Sequence, residues 1–226
     1  MRISWLLVAG SALTLAQAVN AQERPVQSTR AGKRAMLPRE TQIALARSAA
    51  PASVSDKATI LVRTDTGYAR AVVGTNGVTC LVEHSWRDSI EPHCYDAEGA
   101  RTALRSEYRR LQLREAGKSE DVVARTIAKE VASGSLRLPK RLAVSYMMSA
   151  GQLLYNDDGK STGAVPSHLM IYYPNLTNAA VGLGEGFEMQ VGMVMDAGHP
   201  GSNLVIVMGS SVPVAGSPAG ATGASH

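Results

Sequence analysis

Two cysteines occur in the 226 residues, and both lie in one stretch, GTNGVTCLVEHSWRDSIEPHCYD, residues 74–96. A bond between Cys80 and Cys94 would force the chain out and back within that stretch, because a disulfide holds its two Cα atoms within about 4.4–6.8 Å. Cys80 sits on an expected strand, Val78–Glu83, on the face shared with Val78 and Val82, where an inert buried sulfur belongs. Asp88-Ser89-Ile90-Glu91-Pro92 reads as a loop free to bring Cys94 close. Closing a loop of this size stabilises a fold by about 3 kcal/mol on the chain-entropy model.

The rival for this stretch is a metal site or a reactive thiol. His84 stands four residues after Cys80, and His93 is adjacent to Cys94. Adjacent ligands rarely face one ion, and the spacing is not that of a zinc finger. C-x-x-C and C-x-x-C-H are both absent, which removes the thioredoxin-like and covalent-haem readings. The expectation is a staple, Cys80–Cys94, with no metal and no cofactor.

The compartment supports pairing. Met1-Arg2 is a short positive start, Ile3 to Leu15 is apolar and uncharged, and Ala16-Gln17-Ala18 and Val19-Asn20-Ala21 are small-residue cleavage patterns. That is the layout of a secretory signal peptide. Cleavage is expected after Ala21, with Ala18 the other candidate. The apolar run is shorter than the roughly 20 residues a membrane span needs, so no transmembrane anchor is expected after cleavage. The expected destination is the periplasm or the exterior of a bacterium, by Sec-type export, where paired cysteines persist. A formal charge of +4 is mild and does not argue for nucleic acid. Aromatic residues make up 4% of the chain, which weakens any sugar- or base-stacking reading.

Along the chain, residues 1–21 read as signal, 22–37 as a disordered polar lead-in, 38–208 as one domain and 209–226 as a flexible Gly/Ala/Ser/Pro tail. Pro38 opens a short helix that Pro51 ends. Ala58–Arg63, Tyr68–Val73 and Val78–Glu83, separated by Thr64-Asp65-Thr66-Gly67 and Gly74-Thr75-Asn76-Gly77, predict an antiparallel meander. Leu104, Tyr108 and Leu111 mark a helix that Gly117 ends, and Val123, Ile127 and Val131 mark the next, capped by Ser119 and stopped at Gly134. Strand patterns return at 142–148, 152–155, 168–173, 188–195 and 204–208. The fold class is therefore α+β: an antiparallel sheet of about 6–8 strands with an inserted αα-hairpin, in a single domain.

The chain resembles a group of exported bacterial proteins. The likeness rests on a G-[ST]-N-G-x-T-C segment, met by Gly74, Thr75, Asn76, Gly77, Thr79 and Cys80, and on a second cysteine followed by Tyr95 and Asp96. Tyr146-Met147, His168-Leu169-Met170 and Leu204–Met208 extend it over roughly residues 38–208. Val78 replaces a common aromatic, and His199-Pro200-Gly201-Ser202-Asn203 is less aromatic than the group's pattern. The resemblance implies export, paired cysteines and one domain. It lends no catalytic residue.

Other candidates are weaker. His168 shares a strand face with Met170 and Tyr172, and His199 precedes Pro-Gly in a loop; each is a candidate ligand or general base. Arg101, Arg105 and Arg109 recur every four residues and offer a cationic surface to an anionic partner. Asn156-Asp157-Asp158-Gly159 lacks calcium-loop spacing and reads as a turn. Gly182–Gly186 lacks the setting of a nucleotide loop. The sequence leaves the enzyme question open. The first expectation is a non-enzymatic binding or structural protein of the bacterial envelope, and the second is a secreted hydrolase using His168 or His199.

Overall fold

The computed structural model describes residues 36–155, 160–163, 165–184 and 192–216. Residues 1–35, which hold the expected signal and all but the last two residues of the expected lead-in, the expected turn at 156–159, residue 164, residues 185–191, where the expected 188–195 strand begins, and residues 217–226 of the expected tail lie outside them.

An eight-stranded sheet is the frame. Its strands are β1 (Thr59–Thr64), β2 (Gly67–Val72), β3 (Thr79–Glu83), β4 (Glu91–Tyr95), β5 (Ala143–Met147), β8 (His168–Tyr172), β9 (Gly192–Met195) and β10 (Asn203–Val207). A small ribbon pairs β6 (Leu154–Tyr155) with β7 (Ser161–Gly163). The order across the sheet is β2-β1-β3-β4-β5-β8-β10-β9. Helices α1 (Arg39–Ser48) and α2 (Ala52–Ser55) precede the sheet. Helices α3 (Ala97–Arg101), α4 (Ala103–Glu115) and α5 (Glu120–Ala132) separate its two halves in sequence, with α4 and α5 forming the expected hairpin. The fold is α+β.

Two details depart from the expected meander. Thr64-Asp65-Thr66-Gly67 does turn β1 into β2, but β3 pairs with the far side of β1 and runs parallel to it. The sheet is thus mixed. The connection explains this. A Cβ on Gly74 would collide with the backbone of Ala58 and Thr59, so only glycine lets the chain cross so close to the end of β1. Thr75 N then donates to Lys57 O at 2.8 Å, and Thr59 N donates to Val78 O at 2.8 Å. The Asn76 side chain holds Val54 O and Val78 N, so Asn76-Gly77 pins a crossing instead of closing a hairpin.

The second departure is β4. The expected loop at 88–92 ends early, and Glu91–Tyr95 is a wholly buried strand that contains Pro92. Proline lacks an N–H and is normally excluded from central strands. Here β4 is paired to β3 along its length, but to β5 only at Cys94 and Tyr95. The missing donor at Pro92 therefore costs no ladder bond on the β5 side.

Alternation sorts the side chains onto two faces. One face places Ile60, Cys80 and Cys94 against Ala46, Ala49 and Ala50 of the α1 segment. Cys80 and Cys94 stand directly opposite in the β3–β4 ladder, with Cα atoms 4.0 Å apart, and form a disulfide. The other face carries Leu81, Tyr95, Met147, Met170, Tyr172 and Val205 beneath α3 and α4. Gly117, in the left-handed region at φ 72°, ends the α4 turn before Ser119 opens α5. Val123 and Ile127 are buried, and Leu113 of α4 packs on them. Past Met208, where the tail is expected to begin, Val212 still bridges the chain at Ser149, donating its N–H to Met148 O and accepting from Ala150 N. No described helix is long and apolar enough to cross a membrane.

Candidate functional site

The sheet face that α4 and α5 overlie is not a uniform apolar core. Alternation places Glu83 of β3 on it, and Glu91, His93 and Tyr95 of β4 beside it. A cleft of about 530 Å³ opens between this floor and the helices, within the roughly 300–1,000 Å³ usual for small-molecule sites. Its helical wall is apolar, with Ala124, Ile127, Ala128 and Val131 of α5. Met147, Met170 and Met195 line the strand side, and unbranched thioethers adapt their shape to an occupant.

The polar end has a defined construction. His93 Nδ1 lies 2.9 Å from Glu83 Oε2 and 2.9 Å from the Tyr95 hydroxyl. The Tyr95 hydroxyl donates to Glu83 at 3.0 and 3.1 Å. The rings of His93 and Tyr95 stack with centroids 4.0 Å apart, which fixes the imidazole plane. Glu91 has a different task. Its two oxygens accept from Ser85 N at 2.8 Å and Ser85 Oγ at 2.7 Å, tying down the β3–β4 connection.

Burial sets the charge states. Desolvation pushes the Glu83 carboxyl up to about 8, against the opposing hydrogen bond from Tyr95. It raises Glu91 and Glu107 in the same sense, and the charge on Glu83 adds to both. Desolvation drives His93 down to about 3, so its ring is neutral at physiological pH. The Glu83–His93 contact is then a hydrogen bond between uncharged groups. Tyr95 is held well above the ordinary phenol value, chiefly by burial, and stays protonated.

Four buried polar atoms at this cleft have no hydrogen-bond partner: His93 Nε2, Ser106 Oγ, Asn203 Oδ1 and Arg110 Nε, the last 3.3 Å from Glu107 in an ion pair. His93, Ser106 and Asn203 are 3%, 6% and 7% exposed, and Arg110 is half-buried. Ser106 comes from α4, and Asn203 opens β10 opposite Tyr172 and Met195. An orphaned buried polar atom costs roughly 1–3 kcal/mol. Four around one cleft mark where a bound molecule would complete the hydrogen bonding.

The sequence candidates are distributed unevenly about this site. His199 is exposed and lines the cleft beside Asp196, and its Nδ1 accepts from Gly201 N at 3.0 Å. His168 shares the buried face with Met170 and Tyr172, but it sits at the far end of β8 with Nδ1 2.8 Å from Pro166 O. Its register partner is Val207, whereas the His199 turn leads into Asn203, which pairs with Tyr172. The two histidines therefore lie at opposite ends of one strand pair. His84 is buried with Nδ1 2.6 Å from Ser89 O. Among the described residues no group of three His, Cys, Asp or Glu side chains is placed to hold a metal.

The basic run is broken. Thr102, at φ −126° and ψ −82°, separates α3 from α4, so Arg101 is not on the helix of Arg105 and Arg109. Arg101 pairs with Glu98 at 3.0 Å and Arg109 with Glu130 at 2.8 Å. Arg101 also borders a shallow hollow of about 940 Å³ with Arg137 and Lys140, adjoining the cleft at Val131, Leu138 and Pro139.

The sequence reading passed over Glu83, Glu91 and Tyr95 as site residues and weighed His93 only as a metal ligand beside Cys94. The available signal was alternation: Glu91, His93 and Tyr95 recur at period two on the opposite parity to Cys94. Comparison with protein-family models, curated proteins and solved structures finds no match for this chain.

Proposed function

We propose that this chain is an exported, non-enzymatic binding protein of the bacterial envelope, and that the cleft between its sheet and α4–α5 takes a small amphipathic molecule. The observation that carries this reading is the convergence of His93 Nε2, Ser106 Oγ and Asn203 Oδ1 on one cleft with an apolar wall. The apolar body of the ligand lies against α5, and its polar end satisfies those atoms. Export is supported by the signal-like start, the Cys80–Cys94 disulfide and the likeness to exported proteins. The hydrolase reading draws less support. His168 is engaged with Pro166 away from the cleft, and His199 receives a backbone N–H at the rim.

Native mass spectrometry of the protein extracted from its host's envelope tests this. A chain beginning at Gln22, with a small-molecule mass that disappears on denaturation and is absent from an Ala128→Trp variant, is expected. Protein still carrying Met1, no adduct in either form, or an adduct kept equally by Ala128→Trp, would count against it.

A further inference from the structure

Resting on that reading of the cleft, we propose that its polar end recognises a cationic nitrogen, a primary ammonium carried on an apolar chain. Two features lead there.

The first is charge. Acids face the cleft from three places: Glu83 and Glu91 on the sheet, Glu107 on α4, and Asp196 in the turn before β10. Among the described residues Arg110 of α4 is the one arginine lining it, 3.3 Å from Glu107. His93 is neutral, Tyr95 and Tyr172 are protonated phenols, and His199 stands at the rim. Behind Glu83 a small hollow adds Tyr68, His84, Tyr108 and Arg114. The cleft is thus acidic in a chain whose formal charge is +4. An anionic head would have to compete with Glu107 for Arg110 and would oppose ionisation of the other carboxyl groups, whereas a cation favours their ionised forms.

The second is hydrogen-bond polarity. Asn203 Oδ1 only accepts, and Ser106 Oγ has acceptor lone pairs. The role of His93 Nε2 follows from Glu83. With Glu83 ionised, its oxygens only accept, so Nδ1 must carry the ring proton and Nε2 presents a lone pair. In that state three acceptors border the cleft beside one unpartnered donor, Arg110 Nε, which faces Glu107 at 3.3 Å, and an ammonium has three N–H donors and no acceptor. A neutral alcohol has one donor.

Burial opposes the ionised form of Glu83, and a bound cation favours it. Binding therefore releases one proton from Glu83 to solvent while the His93 proton shifts from Nε2 to Nδ1. No covalent bond to the ligand forms.

The test is calorimetry on the purified, disulfide-bonded protein with n-octylamine, n-octanol and octanoate, at about pH 6.5 and about pH 8.5, in buffers of different ionisation heat. A neutral naphthyl dye reports occupancy of the cleft separately. Expected are octylamine binding at least tenfold tighter than the other two at the higher pH, a weakening of roughly tenfold or more at the lower pH, and proton release. Glu83→Gln should keep dye binding while losing tenfold in amine affinity and its pH dependence. Asn203→Leu, which leaves the Glu83–His93 contact in place, should also keep the dye and weaken the amine. Octanol or octanoate binding as tightly as the amine, or dye binding without amine binding, overturns the ammonium inference and leaves the cleft reading standing. Failure of the dye and all three probes overturns both.

Discussion

His93 presents one ring nitrogen to Glu83 at 2.9 Å and leaves the other, Nε2, buried without a partner at the cleft. Stacking on Tyr95 prevents the ring from turning to relieve this. The arrangement spends stability to hold a polar atom ready, which is the usual cost of a preorganised site.

Ser106→Ala tests that cost. Removing an orphaned buried hydroxyl from α4 should leave stability unchanged or raise it by about 1 kcal/mol, because the unpaired group disappears and alanine favours helix. The same change should weaken ligand binding. Urea denaturation and a binding titration on one preparation would show the opposed signs.

The pH dependence of stability has a worked-out shape. His93, lowered from 6.5 to about 3, is neutral in the fold where the unfolded chain would be protonated, so its contribution is lost as pH falls below about 6.5. Glu83, raised from 4.5 to about 8, holds a proton the unfolded chain has released, so its contribution is lost as pH rises through about 8. The two slopes offset between about 4.5 and 6.5, leaving a decline of about 2 kcal/mol between about pH 6.5 and 8. Glu91, 5% exposed, shifts in the same direction as Glu83 and steepens it. Glu83→Gln should flatten the decline in chemical denaturation measured across that range.

Reducing Cys80–Cys94 should cost about 3 kcal/mol on the chain-entropy model, given a sequence separation of 14. The native ladder already opposes the two residues, so Cys80→Ser/Cys94→Ser should still fold, at a lower midpoint. Guanidinium titrations with and without reductant would measure it.

Gly74→Ala should cost more than about 2 kcal/mol, because the added methyl meets backbone and cannot be accommodated by a side-chain rotation. A thermal melt of this variant beside Gly117→Ala, where the methyl meets nothing within 4 Å, separates collision from strain at positive φ.

The α+β class, the αα-hairpin and the cysteine staple were legible because each leaves a local mark: helical spacing, caps, and an export-like start with two cysteines. The parallel β1–β3 pairing was not, since Asn76-Gly77 carries the signature of a hairpin and its actual role depends on how closely Gly74 approaches Thr59. The site was hidden by Pro92. A proline argues against a central strand, and only the end of the β4–β5 ladder at Cys94 makes it harmless. Once 88–92 reads as loop, Glu91, His93 and Tyr95 cannot be placed on one face opposite Glu83. His168 was correctly placed on the face of Met170 and Tyr172, but only the register shows that Val207, not the His199 turn, lies opposite it.

Ala128 lines the apolar wall of the cleft and is exposed on α5, so Ala128→Trp should fill the cleft without disturbing the core. Titrating a neutral naphthyl dye into the wild type and this variant is the most direct test that the cleft is a binding site. The account predicts saturable one-to-one binding to the wild type and at least a tenfold loss in the variant, with melting unchanged. Equal binding to both, or none to the wild type, would contradict it.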